Sequence, residues 1–150
     1  MASFIYDNAW KHILAGNMDF SDDAAGDSTE STFKMALVTS TYTPAQGTHE
    51  FYTDMTNQVA NGSGYTTGGV ATTPTVAVDG SAHEIEVSFT NAVWTSATIS
   101  ANAAVVYRST GTDSTSQLLA YLDFGGTVAS TSGTFTVSVS TPLTISNPAV

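Results

Sequence analysis

The sequence predicts a mainly β protein, an antiparallel β-sandwich of jelly-roll type with one or two short helices. Three observations carry this expectation. Short apolar runs recur with turn residues between them over the second half of the chain. Charged residues make up only 11% of the 150 residues, far below the roughly 25% of an average soluble domain, and Ser and Thr stand in their place. A double-sheet arrangement also manages the open edges of so many short strands. A fold with two short helices against one sheet is the alternative.

The centre of the expected core is the hairpin Ala103–Gly125. An apolar run through Tyr107 leads into the loop Ser109–Ser116, which holds only Ser, Thr, Gly and Asp, and a second apolar run follows from Leu118 to Phe124. Nearly continuous apolar strands are those covered on both faces. Ahead of it, residues 4–15 are the best helix candidate. Tyr6, Ala9, Trp10, Ile13 and Leu14 fall on one face, Asn8, Lys11 and His12 on the other, and Gly16 ends the helix. Residues 19–32 carry five carboxylates and no cation, which reads as an exposed acidic loop, and their spacing does not match a calcium-binding loop.

Phe33–Ser40 reads as a strand, and His49–Val59 as a short helix stopped by Asn61-Gly62. Tyr65–Ala71 is extended, with Gly68-Gly69 allowing a bulge or a close backbone approach. Thr75–Val78 and His83–Phe89 flank the turn signal Asp79-Gly80. Val93-Trp94, Thr98–Ser100, Thr134–Ser140 and Leu143–Ile145 supply further strands, and Val128–Gly133 reads as a loop. Without a repeat or a linker, residues 1–150 form one domain.

Composition narrows the function. A net charge of −10 with three cations, Lys11, Lys34 and Arg108, argues against binding nucleic acid or an anionic membrane. The absence of cysteine removes disulfides, thiol catalysis and cysteine-ligated zinc. The first residues lack the pattern of a signal peptide, and no stretch approaches the ~20 apolar residues of a membrane span. His12, His49 and His83 lie in different expected elements, there is no G-x-S-x-G elbow and no phosphate loop, and Asn61-Gly62-Ser63 matters as a glycosylation sequon only if the chain is secreted. His49-Glu50 with Asp54 is the least poor catalytic constellation. The expectation is a protein without enzymatic activity, metal or cofactor.

Four stretches in fixed order nevertheless carry a resemblance. They are FIYDNAWKHILAG, FKMALVTSTYTPAQGTHEFYTDMTNQV, GSGYTTGGVA and ANAAVVYRSTGTDSTSQLLAYLDFGG. They resemble a family of small tailed-bacteriophage virion proteins, whose patterns include S-G-x-G-Y-T-x-G-G and a V-I-Y-x-x-T-G-T…L-I-A-Y-x-D-F-G hairpin. The acidic loop 19–32 is longer than the family's turn, and Thr141–Val150 is less similar.

The resemblance implies a virion structural protein, made in the host cytoplasm and carried on the capsid surface. Its implied role is a capsid decoration (cement) protein, a homotrimer that binds the major capsid protein. A tail, baseplate or fibre-base component is the alternative, and a carbohydrate-binding module using Trp94 and exposed tyrosines is a third possibility. Tyr42, Phe51, Tyr52 and Tyr65 concentrate outside the clearest strands, so they are either partner-binding anchors or core under a loop.

Overall fold

The computed structural model describes residues 1–20, 31–139 and 143–146. Two antiparallel sheets and one helix near the N-terminus make a β-sandwich. The elements in chain order are β1 (Phe4–Ile5), α1 (Asp7–Leu14), β2 (Thr32–Val38), β3 (Val70–Thr72), β4 (Pro74–Asp79), β5 (Glu84–Phe89), β6 (Ala92–Ser109), β7 (Leu118–Val137) and β8 (Leu143–Ser146). The larger sheet has the order β1-β7-β6-β2-β3, the smaller β4-β5-β8.

The β6–β7 hairpin is the spine of the molecule. From Ala103 to Tyr107 and from Leu118 to Tyr121 every residue is buried, as continuous apolar strands at a sheet centre require. The polar loop between them folds into a 3₁₀ turn, Asp113–Thr115, held by hydroxyl bonds among Thr110, Thr112, Thr115 and Ser116. Both strands run on well past this core. The segment 128–133, expected to be a loop, is part of β7: Val128, Ala129 and Ser130 pair with Ala101, Ser100 and Ile99. It lacks apolar alternation because its side chains are mostly exposed, while its backbone is satisfied by β6. Register shifts near Ala97 and Ala101, with Ser96 and Ser132 at positive φ, bend this ribbon as bulges do.

Alternation along β2 defines two faces. Phe33, Met35 and Leu37 point toward the second sheet, where Phe33 stacks on Phe20 and meets Phe89 edge-on. Ala36, Val38, Val105, Tyr107 and Tyr121 point the other way, under residues 39–69.

Two local expectations are corrected. The helix begins at Asp7, not residue 4, because Phe4 and Ile5 pair with Tyr121 and Ala120 as an edge strand. Its inward side is Ala9 and His12, following Tyr6, whereas Leu14 is 87% exposed. The stretch 49–59 forms only a 3₁₀ turn at Tyr52–Asp54. Its backbone bonds outward instead: Tyr52 N–H to Ser116, Val59 N–H to Leu37, and Glu50 C=O from Leu118 N–H. Those partners replace the i→i−4 bonds a helix would make.

Candidate functional site: an aromatic layer and an apolar cleft

The segment 39–69 brings the four sequence-predicted anchors together as one layer. Tyr42 and Tyr65 are buried, and Phe51 and Tyr52 are half-buried. Tyr42 packs on Tyr121, and Tyr52 on Tyr107 at a ring distance of 4.9 Å. Two polar chains tie the layer down. The hydroxyls of Tyr6 and Tyr42 are bonded at 2.9 Å, and Tyr42 reaches His49 Nδ1 at 3.0 Å. Burial drives the Tyr6 phenol far above its usual range, and the Tyr42 hydroxyl adds to the shift.

Gln58 is the hub of the second chain. Its Oε1 accepts from Tyr65 Oη at 2.9 Å and from the Gly68 amide at 2.5 Å, and its Nε2 donates to Tyr52. Tyr65 Oη also accepts the Leu37 amide, an extra bond for the central sheet. Tyr107 donates to Gly68 C=O at 2.7 Å. The glycines of this region follow from the geometry. Gly69, at φ +73°, lies against the backbone of Met35 and Ala36, so the expected close approach is the reason for a residue without Cβ. The run GSGYTTGG is thus a device that delivers one tyrosine to the sheet and then lets β3 join β2.

The constellation His49, Glu50 and Asp54 is dispersed by its partners. Asp54 accepts the amides of Glu50 and Phe51 at 2.8 and 2.9 Å. Desolvation would raise its pKa, but those donors outweigh it and hold the carboxyl below its ordinary value. Glu50 turns to α1, where it pairs with Lys11 and accepts from His12 Nε2 at 2.9 Å. The Lys11 ammonium, then His12, keeps Glu50 below the usual carboxylate range despite partial burial. The His12–Glu50 contact spans 38 residues and had no signal in the sequence. His83 is exposed in the β4–β5 turn. Among the described residues no group of three His, Asp or Glu could hold a metal ion. The acidic stretch 21–30 lies outside the described residues.

Trp94 is buried between Tyr65 and Phe135, and its Nε1 has no hydrogen-bond partner among the described residues. Neither it nor the buried tyrosines offer a flat platform for a sugar.

The other feature is apolar. In the small sheet, Val76, Val78, Ile85, Val87, Leu143 and Ile145 share one face, as their pairings Val76–Val87–Leu143 and Val78–Ile85–Ile145 require. Among the described residues, only the end near Phe89 is well covered. Val87 is buried, Val76 is 47% exposed and Val78 is 77% exposed. Between this face and α1 lies a cleft of about 180 Å³, walled by Trp10, Ile13, Phe20 and Leu119 opposite Val76, Ile85 and Ile145.

No family model, no curated protein and no solved structure matches the chain. What fold and site define is a β-sandwich with an internally hydrogen-bonded aromatic layer on one side and a partly exposed apolar sheet face on the other.

Proposed function

We propose that the protein is a bacteriophage virion structural protein, a capsid decoration protein that binds and stabilises the mature major-capsid lattice. The resemblance of the four sequence stretches supports the virion. The observation that carries a binding role is the apolar sheet face left to solvent, while His49, Glu50 and Asp54 are all spent on internal hydrogen bonds. A ligand that prefers the mature lattice stabilises it by its binding free energy, and a homotrimer spanning several capsid subunits turns modest contacts into lasting attachment. Of the four aromatic anchors, Tyr42 and Tyr65 serve by holding the 39–69 layer rigid, while Phe51 and Tyr52 keep partial access to solvent.

The test is binding of purified protein to empty expanded shells and to procapsids of the phage that encodes it. Binding to expanded shells alone supports the role, and binding to neither overturns it. A tail, baseplate or fibre-base part is the second reading, and copy number separates the two. Hundreds of copies per virion correspond to decoration, a handful to the tail.

A further inference from the structure

We infer that the face of the β4-β5-β8 sheet that the described residues leave exposed is a docking site for an extended protein segment with aliphatic side chains flanked by lysine or arginine. The face itself supplies the apolar half of the argument. Val76, Val78, Ile85 and Ile145 form a contiguous apolar surface that continues into the cleft against Trp10 and Ile13. In an extended segment alternate side chains point to one side, which suits them to such an apolar face.

Charge selects the occupant. The hairpin carries Asp79 at its turn and Glu84 and Glu86 on its outer face, and neither it nor β8 has a lysine or arginine. A single sheet is thin, so these carboxylates lie within about a Debye length, ~10 Å at 0.1 M salt, of anything seated on the apolar face. The chain's own cations are engaged elsewhere. Lys11 is paired with Glu50, Arg108 donates to Gln117, and Lys34 lies on β2 in the other sheet. A second copy of the chain would bring acidic hairpins together, each on a molecule of net charge −10. A segment with basic flanks meets the opposite field and gains from it. This inference stands apart from the virion reading, since it concerns the chemistry of the occupant and not the particle.

The experiment uses two short synthetic peptides, an alternating valine–serine strand with lysine at both ends and its twin with glutamate at both ends. Each is titrated to millimolar concentration into the isotopically labelled protein and followed by backbone amide shifts. The lysine peptide is expected to move the amides of Val76, Val78, Ile85 and Ile145, with its Kd rising about threefold between 0.05 and 0.5 M salt. The glutamate peptide leaves them in place. Val78→Asp, at a solvent-exposed position, keeps the fold and abolishes the shifts. Glu86→Lys takes the hairpin from three negative charges to a net of one and narrows the preference between the peptides. Equal response to both peptides, or none to either, overturns the proposal. So does a concentration-dependent dimer or trimer in sedimentation that Val78→Asp dissolves, which would make the occupant a second copy. Shell binding is read separately, so loss of the virion reading would leave these outcomes unchanged.

Discussion

Replacing Gly69 by alanine tests the close approach on which the β2–β3 edge depends. The position has φ +73°, where a Cβ costs about 1–2 kcal/mol. The added methyl would also fall on the carbonyl of Met35, with the Ala36 Cα close behind, and both neighbours are backbone of a central-sheet strand. Neither can rotate away, so β3 must separate from β2 at the Met35–Val70 pair. Overpacking of this kind adds about 1–3 kcal/mol, and Gly69→Ala is expected to cost about 2–4 kcal/mol in all once the smaller unfolded-state entropy is counted.

Gly16→Ala supplies the control. It has the same φ of +73° but nothing within 4 Å of the added Cβ, so it carries the backbone penalty alone, about 1 kcal/mol after the smaller unfolded-state entropy is counted. Urea unfolding of the three proteins gives the difference directly, and amide exchange at Val70–Thr72 reports whether β3 has detached. If Gly69→Ala lies within about 0.5 kcal/mol of Gly16→Ala, the close approach is not a feature of the fold and the reasoning fails.

Three further outcomes concern the internal hydrogen bonds of Tyr65, Asp54 and Glu50. Tyr65→Phe keeps the ring but strips the acceptor from the buried Leu37 amide and the donor from Gln58, for a loss of about 1–3 kcal/mol in urea unfolding. Asp54→Ala frees the Glu50 and Phe51 amides and is expected to cost about 1–2 kcal/mol, with protection lost first around residues 49–55 in amide exchange. Glu50 and Asp54 both have depressed carboxyl pKa values in the folded state, so the unfolded chain binds protons first as the pH falls. Their stabilisation is therefore full above the ordinary carboxylate range and lost as pH drops through it and below, and the urea midpoint should decline there. Glu50→Gln should flatten that acid limb, and an unchanged slope would remove Glu50 from the account.

Features whose cause is local were legible in the residues. The β4–β5 hairpin sits on the turn signal at Asp79-Gly80, with Asp79 accepting the Ser81 and Ala82 amides. Gly68-Gly69 marks a backbone contact, as the pair of glycines suggested. The candidate site was legible only in part. Tyr42, Phe51, Tyr52 and Tyr65 do gather in one layer, but nothing in their spacing says which side of the layer faces solvent. The alternation of Ile85, Val87 and Phe89 with Glu84, Glu86 and Ser88 reads as a buried face, yet Ile85 is 40% exposed, because the alternation is the same whether or not anything covers it.

Composition and period by themselves determined a β protein, the central hairpin with its Ser/Thr loop, and the strands that flank each strong turn. These depend on neighbours in the chain, where alternation and turn chemistry act. Only the tertiary structure decided that Phe4–Ile5 would leave the helix for the edge of β7, that 128–133 would extend a strand, and that 49–59 would not coil. It also turned His12 inward to Glu50 and left Val78 in water. Each of these outcomes is settled by a partner or a covering surface far away in sequence, such as Leu119 for the Tyr6 amide and Leu118 for the Glu50 carbonyl. Backbone groups take the partners that folding brings, and local propensity yields where those partners satisfy them better.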